Sequence, residues 1–441
     1  MKLRILVAAT LGALSMQGAM AANLLAIYRD AQQSDPAWQA ARANYTAGQE
    51  RLPQARAGYL PNLSLSGTAY NIDSSRNGVP DQNYNTSTYT VTLTQPLFRW
   101  QNWIAIDQSK QQLLQNEAAL ETARQDLILR VSQAYFDVLL AQDNVALSGA
   151  QKIAISEQLA QAKRNFEVGT ATIVDTLEAQ ASYDQAVAKE ILDLNDLEVK
   201  RQALRQIIGK LPDALTPLRE PLKLSEPKPN KIEEWVASAG DASYSVAVSR
   251  AAFEIAKQQV DSAKAGHYPT LDFNASYTGN RNPSSTLGSL VSGISPFGES
   301  VQAGIVLSLP LYAGGATQSK VREALALREK AEQDLETTRR AVAQSVRQNF
   351  LFVTNGITGV AALERALASS QSKLDSTILG RDVGVRTSVD VLNAQQQLFQ
   401  TRRDLQQVRY GFLMNTLRLK ASAGTLTDAD LEEVNRALGN S

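Results

Sequence analysis

The sequence of 441 residues contains no cysteine, a single histidine, and 44 basic against 44 acidic residues. The absence of cysteine excludes disulfides, thiolate metal sites, cysteine nucleophiles and a lipid-bearing N-terminal cysteine. With His267 as the only histidine, neither a histidine-based triad nor a zinc centre is expected. The balanced charge provides no basic field for nucleic acid. No apolar run of about 20 residues follows the N-terminal region, so no membrane-spanning helix is expected.

The first residues have the layout of a secretory signal peptide. Lys2 and Arg4 precede the apolar stretch 5–14, and Ala19-Met20-Ala21 supplies a small-residue cleavage pattern. We therefore expect residues 1–21 to be removed. An exported chain without cysteine fits the periplasm or the outer membrane of a Gram-negative bacterium, where unpaired thiols are at risk of oxidation.

Four blocks of sequence occur twice, in the same order. The paired blocks are 57–63 with 265–271, 93–98 with 307–312, 131–138 with 346–353, and 168–175 with 383–390. This order predicts two long structural repeats. The predicted boundaries are 22–209 for the first repeat, 210–230 for a proline-rich connector, 231–422 for the second repeat and 423–441 for a C-terminal segment.

Within each repeat a helical segment is followed by two segments of alternating apolar and polar residues. These predict strands near 62–71 and 87–96 in the first repeat, and near 270–279 and 300–309 in the second. Each is about as long as a tilted transmembrane strand requires. The pattern also fits two hairpins of a soluble protein, because the signal of each such strand is weak.

Two long segments without proline, 101–166 and 315–380, follow the strand pairs. As helices they would each be about 100 Å long at 1.5 Å per residue. Apolar residues recur every seven positions in the first of them, which is typical of supercoiled helices. Each segment meets a glycine, Gly169 or Gly384, and a second helix is predicted after it. We therefore expect two helical hairpins, with tips near 166–172 and 380–387.

Four strands cannot close a barrel, and an open sheet edge is not tolerated against lipid. If the strands span a membrane, several copies of the chain must combine them. The strand count leaves two, three or four copies open.

The sequence resembles the TolC family of outer-membrane channel-tunnels. The resemblance lies in A-R-A-G-Y-L-P-N-L at 55–63, L-P-L-Y-A-G-G at 309–315, F-E-V-G-T-A-T-I-V-D at 166–175, V-G-V-R-T-S-V-D-V-L at 383–392 and L-K-A-S-A-G-T-L at 419–426. It implies an α+β membrane protein. The implied homotrimer has a 12-stranded outer-membrane β-barrel, a 12-helix periplasmic α-barrel of antiparallel coiled coils, and a small equatorial collar.

The resemblance also implies a function. A family member is the exit duct for small toxic compounds or unfolded secreted proteins. It docks with a periplasmic adaptor and an inner-membrane pump of the RND, ABC or MFS type, and lipid of the outer membrane surrounds its barrel. The sequence has no phosphate-binding glycine loop, metal-ligand spacing or nucleophile–base pair, so we expect neither an enzyme nor a cofactor.

The helix tips hold the candidate functional residues. Thr172–Asp175 and Thr387–Asp390 are both capping boxes, which by themselves explain an acid at each place. They do not explain Arg386, which has no counterpart at the first tip.

The resemblance places the tips at a periplasmic entrance that polar links between neighbouring coils hold shut. It implies that Arg386 is a lock residue and Asp175 one of its partners. Arg381 stands where the family has a tyrosine, so that link is altered or lost. Asp390 matches the first acid of the constriction ring, and Asn393 replaces the second. The implied adaptor-docking residues are Val168, Gly169, Thr170, Val383 and Gly384.

Two other classes of protein remain as alternatives. A passive diffusion porin would share the strands, but porins have short periplasmic turns instead of long helices. A secreted coiled-coil structural protein would share the helices and would be soluble without detergent.

Overall fold

A computed structural model describes residues 22–76, 79–211, 214–281 and 297–439. The predicted signal peptide and most of the loop predicted between the third and fourth strands lie outside these residues. The described chain is mostly helical and contains one four-stranded antiparallel sheet.

Among the described residues, the first half of the chain contains five helices and two strands. They are α1 (Leu24–Ser34), α2 (Pro36–Gln49), α3 (Arg51–Ala57), β1 (Asn62–Arg76), β2 (Val79–Phe98), α4 (Trp100–Glu167) and α5 (Ile173–Ile208). The second half contains α6 (Ile232–Ala242), α7 (Tyr244–Lys264), a short 3₁₀ helix (Ala265–His267), β3 (Thr270–Arg281), β4 (Phe297–Ser308), α8 (Ala316–Asp382), α9 (Ser388–Ser422) and α10 (Asp428–Arg436).

Proline shapes two of these boundaries. Pro36 begins α2 and lacks the amide hydrogen that would continue α1, so the N-terminal helical segment is broken there. Pro96 is the last residue of the strand predicted near 87–96, but it lies inside β2. The register of β2 with β3 shifts between Pro96 and Phe98, and such an irregularity tolerates a residue without a backbone donor.

The chain divides into two compact units, and the sheet belongs to the unit formed by 41–121 and 244–341. The strands pair in chain order, so β1 and β4 are the two edges. Residues that pair across strands share a face of the sheet. One face, here called the apolar face, carries Leu63, Leu65, Val91, Leu93, Phe273, Ala275, Val301, Ile305 and Leu307. The opposite face, here called the polar face, carries Ser64, Ser66, Thr68, Thr88, Thr90, Thr92, Asn274, Ser276, Thr278, Ser300 and Gln302.

The apolar face is not covered by any described element. Leu65 on one edge strand is 74% exposed and Val301 on the other is 76% exposed. A monomeric soluble protein rarely exposes so continuous an apolar surface. The face therefore requires a lipid or protein environment.

The other unit comprises 22–40, 122–243 and 342–439 of the described residues. Its largest core forms where α1, α4, α5, α9, α10 and the connector meet. Fully buried members of this core include Leu24, Ile27, Leu127, Val131, Tyr135, Leu204, Leu417, Leu426 and Leu431. The Tyr135 hydroxyl donates to the Thr216 carbonyl at 2.8 Å, which ties the connector to α4.

One described helix, α8, is long and apolar enough to cross a membrane by length and composition alone. From the sequence we expected no helix that could span a membrane. Phe350, Val353 and Val360 of α8 are buried among other helices, so packing accounts for part of its apolar character. At 67 residues the helix is also far longer than the roughly 20 residues of a membrane span.

The C-terminal helix α10 is held by an ion pair and a capping box. Lys420 Nζ lies 2.7 Å from Asp430 Oδ1, and the Asp430 carboxylate also accepts from the Thr427 amide at 2.7 Å. Burial opposes the charged form of Asp430, but the hydrogen bonds from Lys420 and Thr427 outweigh it and hold the pKa of Asp430 below its usual value. Burial likewise opposes charged Lys420, but Asp430 and Glu433 raise its pKa.

These shifts predict how the docking of α10 depends on pH. The stabilisation from Asp430 is complete above its unfolded pKa of about 3.9 and is lost as pH falls through its lower folded value. The stabilisation from Lys420 is complete below about pH 10.4 and is lost as pH rises through its higher folded value.

Hydrogen exchange of α10, corrected for the intrinsic rate, should therefore show constant protection between these two pH limits. In Asp430→Asn, exchange at neutral pH should be faster. Equal protection in both proteins would contradict the role of this pair.

Candidate functional site

Each helical hairpin ends in a glycine turn. Gly169 and Gly384 have φ angles of 81° and 82°, which residues with a Cβ rarely adopt. Their amides donate to carbonyls of the preceding turn, Phe166 and Arg381 respectively, both at 3.0 Å. These contacts close the ends of α4 and α8 and reverse the chain within a few residues.

Both helices that leave the turns begin with the capping boxes that the sequence predicted. At the first tip the Asp175 carboxylate accepts from the Thr172 amide at 2.9 Å, and the Thr172 hydroxyl accepts from the Asp175 amide at 3.2 Å. The Thr387–Asp390 pair has the same two contacts at 2.9 and 3.2 Å. The hydrogen bonds from the Thr387 backbone and side chain, with the nearby charge of Arg386, lower the pKa of Asp390. It is therefore ionised at neutral pH.

The proposed lock residues do not meet within one chain. Among the described residues, the hydrogen bonds of the Asp175 side chain go only to Thr172, and no ion pair joins it to Arg386. The Arg386 side chain instead lies against Gly380, where a Cβ would approach Arg386 Cγ to 2.8 Å. An Arg386–Asp175 link would therefore have to form between different copies of the chain.

Arg381 makes a different link from the one expected of a tyrosine. Its guanidinium binds the neighbouring Asp382 at 2.7 Å and also donates to Gln161 Oε1 on α4 at 3.3 Å. The second contact joins the two helical hairpins of one chain near their tips. Arg381 therefore contributes to the contact between the two hairpins of one chain.

The predicted docking and constriction residues are accessible. Val168, Gly169, Thr170, Val383 and Gly384 are all exposed at the two turns. Asn393 is exposed one helical turn after Asp390, so both project from the same face of α9. The arrangement offers two exposed turns, each followed by one capping carboxylate, Asp175 or Asp390.

Sequence reasoning missed a series of polar contacts between the two hairpins, here called the inter-coil ladder. Besides Arg381–Gln161, it consists of Gln158–Gln395 at 2.8 Å, Arg403–Asn144 at 3.2 Å, Tyr410–Asp143 at 2.8 Å and Arg418–Gln133 at 2.8 Å. Asp143 is largely buried, and this burial raises its pKa. Polar side chains at seam positions of a predicted helix indicate that such contacts exist. They do not indicate which residue of the other hairpin each one contacts.

A buried arginine continues this series toward the connector. Arg409 on α9 donates to Glu220 of the connector and to Glu364 of α8, the latter at 3.0 Å. Its side chain is 8% exposed, whereas Glu220 and Glu364 are 61% and 50% exposed. One arginine thus joins three segments of the chain.

The described residues contain no group of histidine, aspartate and glutamate side chains able to hold a metal ion. The site consists of polar and apolar groups at the ends of long helices.

Comparison with known proteins agrees with this description. The family model of the outer membrane efflux protein matches residues 27–210 and 235–425. The chain is 32% identical over 440 residues to the outer membrane protein TolC of Vibrio cholerae, covering 99% of this chain and 98% of that protein. It is 31% identical to the alkaline protease secretion protein AprF of Pseudomonas aeruginosa, covering 95% of this chain and 88% of that protein.

The fold is also that of solved channels. The crystal structure of the outer membrane protein VceC of Vibrio cholerae superposes with a TM-score of 0.75 at 20% identity, covering 91% of this chain and 96% of that chain. The chain therefore belongs to the TolC family of outer membrane efflux proteins, which are channels of the outer membrane with a periplasmic extension and not enzymes.

Proposed function

We propose that three copies of this chain form an export duct across the outer membrane and the periplasm. One observation carries the proposal: a four-stranded sheet with an uncovered apolar face and two unpaired edges, in a chain of an outer-membrane family. Pairing β4 of one copy with β1 of the next would satisfy both edges and close a barrel of 12 strands. The apolar face would then meet lipid, and the polar face would line the lumen.

The long helices support the same assembly. Within one chain many apolar residues of α9 are buried, whereas α5 and α8 keep large exposed apolar residues. They include Leu177, Ile191, Leu192, Leu351, Phe352 and Leu379. Packing α5 of one copy against α8 of the next would bury these residues and build a tunnel of 12 helices below the barrel. The connector and α10, on this proposal, form an equatorial collar.

The duplicated sequence gives the tunnel its regular wall. Both halves of the chain contain the same order of helices, strand pair and helical hairpin, and the family model matches one segment in each half. These observations support an internal duplication. Six similar hairpins in a trimer would place six tips around one opening.

The tips form the periplasmic entrance of this duct. Arg386 of one copy would bind Asp175 of a neighbour and hold the entrance shut, assisted by Arg381. Asp390, ionised at neutral pH, would form a constriction ring that favours cations. Because Asn393 stands in place of a second acid, a trimer would have three carboxylates in this ring instead of six. The exposed residues Val168, Gly169, Thr170, Val383 and Gly384 would receive a helical hairpin of the adaptor.

The duct would work with a periplasmic adaptor and an inner-membrane pump of the RND, ABC or MFS type. Relatives named for protease secretion and for outer membrane efflux, AprF and BepC, support both protein secretion and efflux of small compounds as its task. A simple porin is not favoured, because α4 and α8 have 68 and 67 residues where a porin has short turns.

The mass of the detergent-solubilised particle tests the assembly. Light scattering, with the detergent subtracted, should give three times the mass of the mature chain. A particle of two or four chains would overturn the trimer. A water-soluble monomer would overturn the membrane assignment itself.

A further inference from the structure

The polar face of the sheet is nearly free of charge. Along 62–72, 84–96, 270–280 and 298–308 its residues carry mainly hydroxyl and amide groups. Asp272 is the only acidic or basic residue on that face in these ranges. Glu299 and Arg281 pair with Gly279 and Phe297 on the opposite face.

Asp272 is neutralised by an arginine from the neighbouring strand–helix join. Arg99, between β2 and α4, donates from Nε to Asp272 Oδ1 at 2.8 Å and from Nη2 to Oδ2 at 2.7 Å. The Asp272 side chain is 14% exposed and that of Arg99 is 41% exposed. A bidentate pair of this geometry is among the strongest charge-assisted contacts, and it fixes both groups relative to each other.

The Arg99–Asp272 pair lies at one end of the polar face. Asp272 is the third residue of β3, at the helix-proximal end of the polar face. In the barrel proposed above, one Arg99–Asp272 pair per copy would form a ring at the base of the lumen. Above that ring the polar face within these ranges carries no further acidic or basic residue.

We propose that the Arg99–Asp272 pair keeps the inner wall of the barrel electrically neutral, so that the barrel passes cargo without selection by charge. Arg99 is then a specificity-determining residue, because its loss would expose one carboxylate per copy to the lumen. Loss of Asp272 would expose one guanidinium per copy. The inference rests on the proposed barrel and goes beyond it, since a barrel could equally have a charged lumen.

Reversal potentials in planar bilayers under a KCl gradient test the inference. All variants are made in an Asp390→Asn background, so that the entrance ring adds no charge. Arg99→Gln should shift the ratio of potassium to chloride permeability severalfold toward potassium, and Asp272→Asn should shift it toward chloride. The double variant Arg99→Gln/Asp272→Asn should return it to the background value.

Two further variants separate selectivity from a merely structural role. Ser276→Asp places a carboxylate on the polar face without touching the pair, and should shift the ratio toward potassium even if Arg99→Gln does not fold. Glu299→Gln on the opposite face should leave the ratio unchanged.

The outcomes distinguish this inference from the function it rests on. Channels with one unchanged ratio in all variants would overturn the neutral wall and leave the duct intact. No channel from well-folded background protein would overturn the duct, and the inference with it.

Discussion

Substitution of Arg386 by alanine should raise the single-channel conductance of the purified protein severalfold. The wild-type protein should insert into a planar bilayer as a small, cation-preferring conductance, because the proposed lock closes the tips and Asp390 is ionised there. Among the described residues Arg386 forms no ion pair within 4 Å, although its charge acts on Asp390, so its guanidinium can still bind Asp175 of a neighbouring copy. Removing it would release three links at once in a trimer.

Asp175→Asn separates the lock from the capping box. An asparagine side chain can still accept from the Thr172 amide, so the helix start is preserved while the charge is lost. If Asp175 is the partner of Arg386, this variant should also conduct more than the wild type. Asp390→Asn, the matched change at the second tip, should reduce cation preference without a comparable rise in conductance. If the wild-type conductance is large and Arg386→Ala does not change it, the protein forms a pore but Arg386 does not hold it shut.

Local periodicity explains why so much of the secondary structure could be predicted. The heptad spacing that includes Leu127 and Ala141 matches residues that are 0% and 2% exposed, because a helix places every seventh residue on nearly the same face. Glycine and proline marked the turns for reasons of backbone geometry. The family, the channel function and the outer-membrane location, which the resemblance implied, are confirmed by the relatives.

The strand ends were harder to predict, since β1 and β2 extend beyond the apolar alternation. The ladder continues through the pair Asn71 and Asn85, whose side chains are joined at 2.9 Å. Backbone pairing needs no apolar side chain, so a pattern based on apolar residues ends too early.

Contacts between distant segments could not be predicted at all. Gln158 and Gln395, or Arg409 and Glu220, are far apart in sequence, and nothing local to either residue identifies the other. The sequence contains 44 basic and 44 acidic residues, so the number of possible ion pairs is very large. Only the packing of α4, α8 and α9 selects among them. The sequence showed that Arg381 stands where the family has a tyrosine. It could not show that Arg381 binds Gln161, because that contact depends on helix packing.

Removing the two glutamates that bind Arg409 should destabilise the protein more than removing Arg409 itself. The Glu220→Ala/Glu364→Ala variant leaves a guanidinium that is 8% exposed without a charged partner. An unpaired buried charge costs on the order of 3 kcal/mol or more. Arg409→Met keeps much of the side-chain volume and leaves two glutamates that water can solvate, so about 1 kcal/mol is expected.

Urea denaturation followed by the helical circular dichroism signal measures this difference. Its midpoint should fall furthest in the double glutamate variant and only slightly in Arg409→Met. Glu336→Ala, which removes one partner of the exposed Arg340–Glu336 pair, should change it by less than about 1 kcal/mol. The reverse order would mean that Arg409 stabilises the protein through packing of its aliphatic portion. The expected order would mean that charge holds the connector to α8 and α9, so that these helices cannot move apart without separating the connector from one of them.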